Sequence, residues 1–143
     1  MSLRSDLSVS ALQAKLQIGL PALLGIQMVS VTEGSVQMRL PIEPLLLAPN
    51  GFLHAASVIA LADTACGFAC LAHLPDGAQN FTTIELKTNF LGTATTGVLL
   101  AQARSVHLGR TTQVWDATVS HAESNRVIAV FRCTQLVLWP KAA

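Results

Sequence analysis

The stretch Leu53–Pro75, LHAASVIALADTACGFACLAHLP, is an apolar run holding a single carboxylate, Asp63. It is rich in Ala and Leu, contains one glycine, Gly67, and stops at Pro75, a residue that a helix interior does not tolerate. These features predict a helix over about residues 55–74, apolar around nearly its whole circumference, and such a helix belongs in the middle of a protein. Its length also suits a bilayer. A carboxylate near the centre is costly there, however, and flanking Lys and Arg are missing, so the run reads as a core helix and not as a membrane span.

The segments on either side say what surrounds that helix. Ser8–Ile18 has helical spacing, with Val9, Leu12 and Leu16 on one side, and is expected to end near Gly19 and Pro21. Ile26–Thr32 and Val36–Leu40, separated by EGS, read as a hairpin. Four strand-like segments follow the helix: Phe81–Leu91, Val98–His107, Thr111–His121 and Val127–Leu138. Their short connections predict antiparallel neighbours in consecutive order. Within FTTIELKTNF, alternation places Thr82, Ile84, Leu86, Thr88 and Phe90 on the dry face and Thr83, Glu85, Lys87 and Asn89 on the wetter one. With one apolar helix and one long antiparallel sheet, the sheet must curl over the helix, since nothing else in the chain can cover it. This is the α+β hotdog arrangement, a long central helix wrapped by a curved sheet.

At 143 residues the chain has the size of a single domain, taken here as 1–143. Hydrophobic residues make up 51% and charged ones only 12%, which leaves more apolar surface than a small sphere can hide and points to a homo-oligomer. Nine basic side chains against eight acidic, without a basic cluster or zinc-finger spacing, argue against nucleic-acid binding. Cys66, Cys70 and Cys133 form an odd set, two of them within the apolar run; they read as buried thiols in a reducing, cytoplasmic setting. Asp6 and the serines around it interrupt the apolar core that a signal peptide requires.

An ionised carboxylate inside an apolar helix costs several kcal/mol unless it is hydrogen-bonded, solvated by a cleft or kept neutral. Asp63 is therefore either a structural acid bonded beneath the helix or a functional acid in a cleft. On helical geometry its face carries Ala56, Ile59, Ala60, Cys66, Gly67 and Cys70, mostly small, which leaves room for a ligand. Before the helix, APNGFLHAA supplies Gly51 for a tight turn, and the free N–H groups near Ala55 form a terminus able to stabilise an oxyanion. Eight residues of helix separate Ala55 from Asp63 by about 12 Å, so one substrate can meet both only across two protomers. His54 lies about half a turn away from Asp63 in angle, which rules out a Ser/His/Asp relay within one chain; it is a loop-fixing residue or a substrate contact. Cys66, Cys70 and His73 fall at metal-like spacing without a fourth ligand, so core packing is preferred and no metal is expected. Thr83 could orient a water, or simply be a β-branched strand residue. Arg104, Arg110, Lys87 and Arg126 are candidates for nucleotide phosphates at a rim, or plain surface charges.

Two longer patterns carry a resemblance. PNGFLHAASVIALADTACGFA resembles the N-P-x-G-x-x-H-G-G…L-A-D-x-A signature of PaaI-like hotdog acyl-CoA thioesterases. TTIELKTNFLGTA is similar to that family's T-x-[DE]-L-x-x-x-[FY]-L-x-P-A strand, and HLGRTTQVWDATV to its next hairpin. The match covers about Leu45–Leu138. The resemblance implies hydrolysis of an acyl-CoA thioester without a cofactor, CoA being part of the substrate. It makes Asp63 the nucleophile or general base, the Ala55 N–H the carbonyl-polarising donor, His54 the motif histidine and Thr83 the residue that places water or substrate. Asn50, Gly51, Gly67 and Arg110 are the expected substrate contacts, and a dimer or a dimer of dimers the assembly. The family's asparagine position is occupied by Ala48, and both its glycines by Ala55 and Ala56; the added methyls narrow the approach of the acyl group. A non-catalytic acyl-CoA-binding or structural hotdog protein is the alternative.

Overall fold

The computed structural model describes residues 2–141; residue 1 and residues 142–143 lie outside it. Its centre is α3, Ala55–Ala72, preceded by α1 (Val9–Lys15), α2 (Gly19–Leu24), β1 (Gln27–Thr32), β2 (Ser35–Pro41) and a 3-10 turn at Pro44–Leu46. After the helix come β3 (Asn80–Phe90), β4 (Val98–Leu108), β5 (Thr112–His121) and β6 (Val127–Leu138). The six strands form one antiparallel sheet in the order β1-β2-β4-β5-β6-β3. α3 packs on its concave side against β2 to β6, the hotdog arrangement.

The sheet approaches the helix closely because the facing side chains are small. Ala101 and Ala103 of β4, Ala117 of β5 and Ala129 and Cys133 of β6 meet Ala62, Ala65, Cys66, Ala69 and Cys70 of α3 in one buried core. Larger residues, Trp115, Met38, Leu40, Leu61 and Leu99, fill the remaining volume. By length and composition α3 could cross a membrane, with a mean hydropathy of 1.7, yet 56% of that window is buried by the protein itself.

Three expectations from the sequence need correcting. The first helix is shorter than Ser8–Ile18: Ser8 is its N-cap, accepting from the Ala11 N–H, and Gly19 and Pro21 open a second short helix where an end was expected. Proline is tolerated in a first helical turn because no intrahelical N–H bond is lost there. α3 ends at Ala72 instead of Leu74, since the residue before Pro75 is disfavoured in helical conformation. The third correction concerns sheet order.

β3 pairs with β6 at the sheet edge, not with β4. The connector, residues 91–97, passes beneath the β5–β6 turn, a distance of three strand spacings or about 14 Å, well within the reach of seven residues. Its course is tied down: Leu91 and Gly92 N–H donate to the Ile128 carbonyl, the Arg126 guanidinium to the Thr93 carbonyl, and His121 Nε2 lies 3.0 Å from the Thr96 carbonyl. A short connection thus implied adjacency in sequence, but its length also suffices to cross two strands.

Candidate active site

The loop before α3 folds on itself. Ala48 N–H donates to the Phe52 carbonyl at 2.7 Å, Gly51 N–H to the Ala48 carbonyl at 2.8 Å, and Phe52 N–H to Asn50 Oδ1 at 3.2 Å. Gly51 has φ +85°, the left-handed region that glycine adopts without strain. Asn50 and Gly51 therefore build the turn, and Asn50 spends its carboxamide oxygen on the backbone. The helix tip is held to the 3-10 turn by His54 N–H and Ser57 Oγ–H, both donating to the Leu46 carbonyl at 2.9 Å.

His54 is the N-cap of α3, and its Nδ1 accepts the Ala56 N–H at 3.0 Å. With Nδ1 accepting, the ring N–H of this exposed residue is on Nε2. The Ser57 N–H is taken by the His54 carbonyl. The Ala55 N–H donates to nothing among the described residues, and Ala55 is exposed. One outward donor at the positive end of an eighteen-residue helix is thus left free.

Asp63 lies two turns further on, half-buried, with Thr83 Oγ1 donating to its Oδ1 at 3.2 Å. Burial raises its pKa above the ordinary carboxylate range, and the Thr83 bond opposes part of that rise. The structure thus joins Asp63 to Thr83, leaving His54 and Ala55 about 12 Å away along the same helix.

Thr83 reaches Asp63 because β3 is bulged, which corrects the expected alternation. Thr83 pairs with Gln135 and Glu85 with Thr134, so Ile84 is the extra residue on the bulged strand. Before the bulge Phe81 and Thr83 face the helix; after it Leu86, Thr88 and Phe90 occupy that side and Glu85, Lys87 and Asn89 the other. Thr82 and Thr83 therefore exchange faces relative to a regular strand. A bulge has no strong signature in this sequence, so alternation alone could not find it.

Gly67 is buried against the Phe81 ring; a Cβ there would lie 3.0 Å from Phe81 Cζ. Its small size makes room for that ring. Arg110 sits at the β4–β5 turn with its guanidinium 4.7 Å from the centre of the Trp139 ring, and Trp139 Nε1–H donates to the Arg110 carbonyl at 3.2 Å. Arg104 and Lys87 are exposed on the outer side of the sheet. Cys66, Cys70 and Cys133 are free, buried thiols, with burial pushing Cys70 up to about 12. His73 packs in the core, and no group of three or more metal-ligating side chains occurs among the described residues.

Sequence reasoning missed Gln135. It is fully buried, on the strip of β6 that carries Phe131, Cys133 and Val137 toward the helix, and its carboxamide lies 3.0 Å from Thr83 Oγ1. The signal was present: a glutamine at an apolar-parity position of a strand.

Comparison with known proteins agrees with this fold. The model of the thioesterase superfamily matches residues 50–128, which include the helix tip, Asp63 and Thr83. A 1,4-dihydroxy-2-naphthoyl-CoA hydrolase of Listeria monocytogenes is 28% identical over 117 residues, 82% of this chain and 94% of that protein. The crystal structure of a thioesterase from Haemophilus influenzae superposes with a TM-score of 0.91 at 25% identity, covering 99% of this chain and 98% of the other. The E. coli PaaI protein shares the fold, with a TM-score of 0.78 at 24% identity over 87% of this chain and 88% of that one. With a matching fold along nearly its whole length and a family match spanning the helix and its acid, the chain belongs to the thioesterase superfamily.

Proposed function

We propose that the protein hydrolyses acyl-CoA thioesters in a cleft between two protomers, in a reducing cytoplasmic setting and without a cofactor. The observation that carries this reading is Asp63, a carboxylate half-buried in an apolar helix and bonded, among the described residues, only by the Thr83 hydroxyl, which gives a base poised above the ordinary carboxylate range. The Ala55 N–H of one protomer polarises the thioester carbonyl, and Asp63 of its partner takes a proton from the attacking water. Water oxygen bonds to the carbonyl carbon, the C–S bond breaks, and the CoA sulfur leaves as thiolate and is then protonated. Attack by the carboxylate itself, with the mixed anhydride then hydrolysed, uses the same two groups. His54 holds the tip rigid and offers its Nε2–H to the substrate.

Two protomers are favoured by the edge strand. β3 has β6 on one side only and exposes Ile84, Leu86 and Phe90 beside Leu91. A second copy would cover this apolar edge. The acyl-CoA class is favoured by the name of the Listeria relative.

The test is thiol release from a panel of acyl-CoAs by wild type, Asp63→Asn and Ala55→Pro. Ala55 is the first helical residue, where proline fits, and His54 already has φ −67° and ψ 134°, a conformation that tolerates a following proline. Ala55→Pro thus deletes one N–H with the helix retained. Losses of about 10²–10³-fold in Ala55→Pro and about 10²–10⁴-fold in Asp63→Asn are expected. Unchanged rates in either would discard the mechanism. Ala48 and the alanines at 55 and 56 favour a second reading, a non-catalytic acyl-CoA binder. It predicts ligand-induced thermal stabilisation with no thiol released by wild type.

A further inference from the structure

Gln135 is wholly buried beneath the sheet side of α3, at a place where a valine or leucine would suffice for packing. Burying a carboxamide without partners costs a few kcal/mol, so its bonds should explain its presence. The neighbouring Gln113, its register partner on β5, is already explained: it accepts from Trp115 Nε1–H at 3.0 Å and donates to the His73 carbonyl at 2.8 Å. Gln135 instead touches Thr83 Oγ1 at 3.0 Å through one end of its carboxamide and Cys133 Sγ at 3.3 Å through the other.

A count of protons decides which end is which. The Thr83 hydroxyl has one proton and lies within reach of two oxygens, Asp63 Oδ1 at 3.2 Å and the Gln135 carboxamide oxygen at 3.0 Å. It cannot donate to both. The two ends of a carboxamide have nearly the same shape, and exchanging them satisfies every group. The Gln135 N–H then donates to Thr83, the Thr83 O–H to Asp63, and the Cys133 S–H to the Gln135 oxygen. Cys66, one turn along α3 from Asp63, is held protonated by the neighbouring Cys133 thiol and by burial, well above the ordinary range. The donors of Cys133, Gln135 and Thr83 then point in series toward the carboxylate, an arrangement in which each bond polarises the next.

We infer that Gln135 is the positioning residue of the site: by donating to the Thr83 hydroxyl from below, it commits the only Thr83 proton to Asp63 and holds the carboxylate ready as a base. This role rests on the hydrolase reading of Asp63, but its physical content, the coupling of Gln135 to Asp63 through Thr83, does not need turnover. Among the described residues, the titratable groups on the helix-facing side are the thiols of Cys66 and Cys70 on α3 and Cys133 on β6, and His121 at the far end of β5, whose ring is held at the Thr96 carbonyl and the Ser124 hydroxyl. Arg39 of β2, Arg104 and His107 of β4, Asp116 of β5, Arg132 of β6, and Glu85 and Lys87 of β3 stand at positions on the opposite face of the sheet.

The experiment is a carboxyl-carbon NMR titration of Asp63 beside the pH profile of kcat/KM. Gln135→Met removes the donor while keeping an unbranched buried chain. It is expected to move the Asp63 midpoint upward by about half to one pH unit, a three- to tenfold rise in proton affinity. In the Thr83→Val background the same substitution is expected to move it no further. An unchanged midpoint in folded Gln135→Met, or an equal shift with and without Thr83, overturns the inference. In the unaltered protein the Gln135 carboxamide nitrogen should titrate with the Asp63 midpoint, and a flat response there overturns the inference whether or not any variant folds. Coupled titration in a protein that releases no thiol would uphold the positioning and reject the hydrolase; turnover whose acid limb ignores Gln135 would do the reverse.

Discussion

Acid should loosen this fold at one identifiable residue. His73 caps the end of α3 with no exposed surface; its Nδ1–H donates to the Ala69 carbonyl at 2.8 Å, and its Nε2 accepts the Gly34 N–H at 2.9 Å. The Trp115 ring lies 5.3 Å away, centre to centre. A second proton, on Nε2, would displace the Gly34 N–H, detach the β1–β2 turn from the helix and leave a cation in the core. Burial accordingly pulls the His73 pKa below the ordinary histidine value. The unfolded chain takes up a proton near pH 6.5 where the native state does not, so stability from this residue is complete above that pH and falls as pH falls. If the native imidazole stays neutral throughout, the loss between pH 7 and pH 5 is about 1.9 kcal/mol, or about 7 °C in Tm for a chain of this size. The assay is thermal unfolding at pH 7, 6 and 5, at one protein concentration because assembly would shift Tm. His73→Gln keeps a donor and an acceptor but cannot titrate, so the difference between it and wild type removes contributions of the other three histidines and the carboxylates. Wild type should lose about 5–7 °C more than the variant on acidification. Parallel slopes would refute the argument.

Three further outcomes follow from the site. Asp63→Asn should raise Tm at pH 7: a carboxyl with a raised pKa holds its proton longer in the native state, so its contribution fades as pH rises through that value, and the gain should shrink toward pH 4. A gain of equal size at both pH values would contradict the sign. Gly67→Ala gains about 1 kcal/mol of helix propensity but brings a methyl to 3.0 Å from Phe81 Cζ, an overpacking cost of about 1–3 kcal/mol, so Tm should fall by a few degrees and recover in Gly67→Ala/Phe81→Leu. A rise in Tm for the single variant would show that the ring moves freely. Finally, unfolding and refolding Ala55→Pro and Asp63→Asn chains together should restore activity to about a quarter of wild type, since half the dimers are hybrids with one intact site each; an inactive mixture of demonstrated hybrids would place both groups in the same chain.

The helix and its acid were readable from residues alone, because an 18-residue apolar segment with one carboxylate has few physical solutions. His54 and Gly51 were also legible, as local chemistry of a helix start and a turn. Thr83 was found as a residue but placed on the wrong face, since a single unpaired residue at Ile84 reverses the alternation on which the reading relied. Gln135, 72 positions after Asp63, could be noticed only as an oddity of β6, because its partner is set by the pairing of β6 with β3. Sheet order failed for a related reason: a seven-residue connector satisfies both adjacency and a crossing, and the distance it spans does not depend on its sequence.

What the sequence by itself determined is the set of local choices: a buried helix, its free N-terminal amide, an acid within it, and strands with one apolar face. Each follows from the periodicity and backbone chemistry of a short segment. Only the tertiary structure decided which strand lies at the edge, which hydroxyl meets the acid and which buried amide supports that hydroxyl. Those pairings depend on register between distant segments, where one inserted residue turns every following side chain to the opposite face.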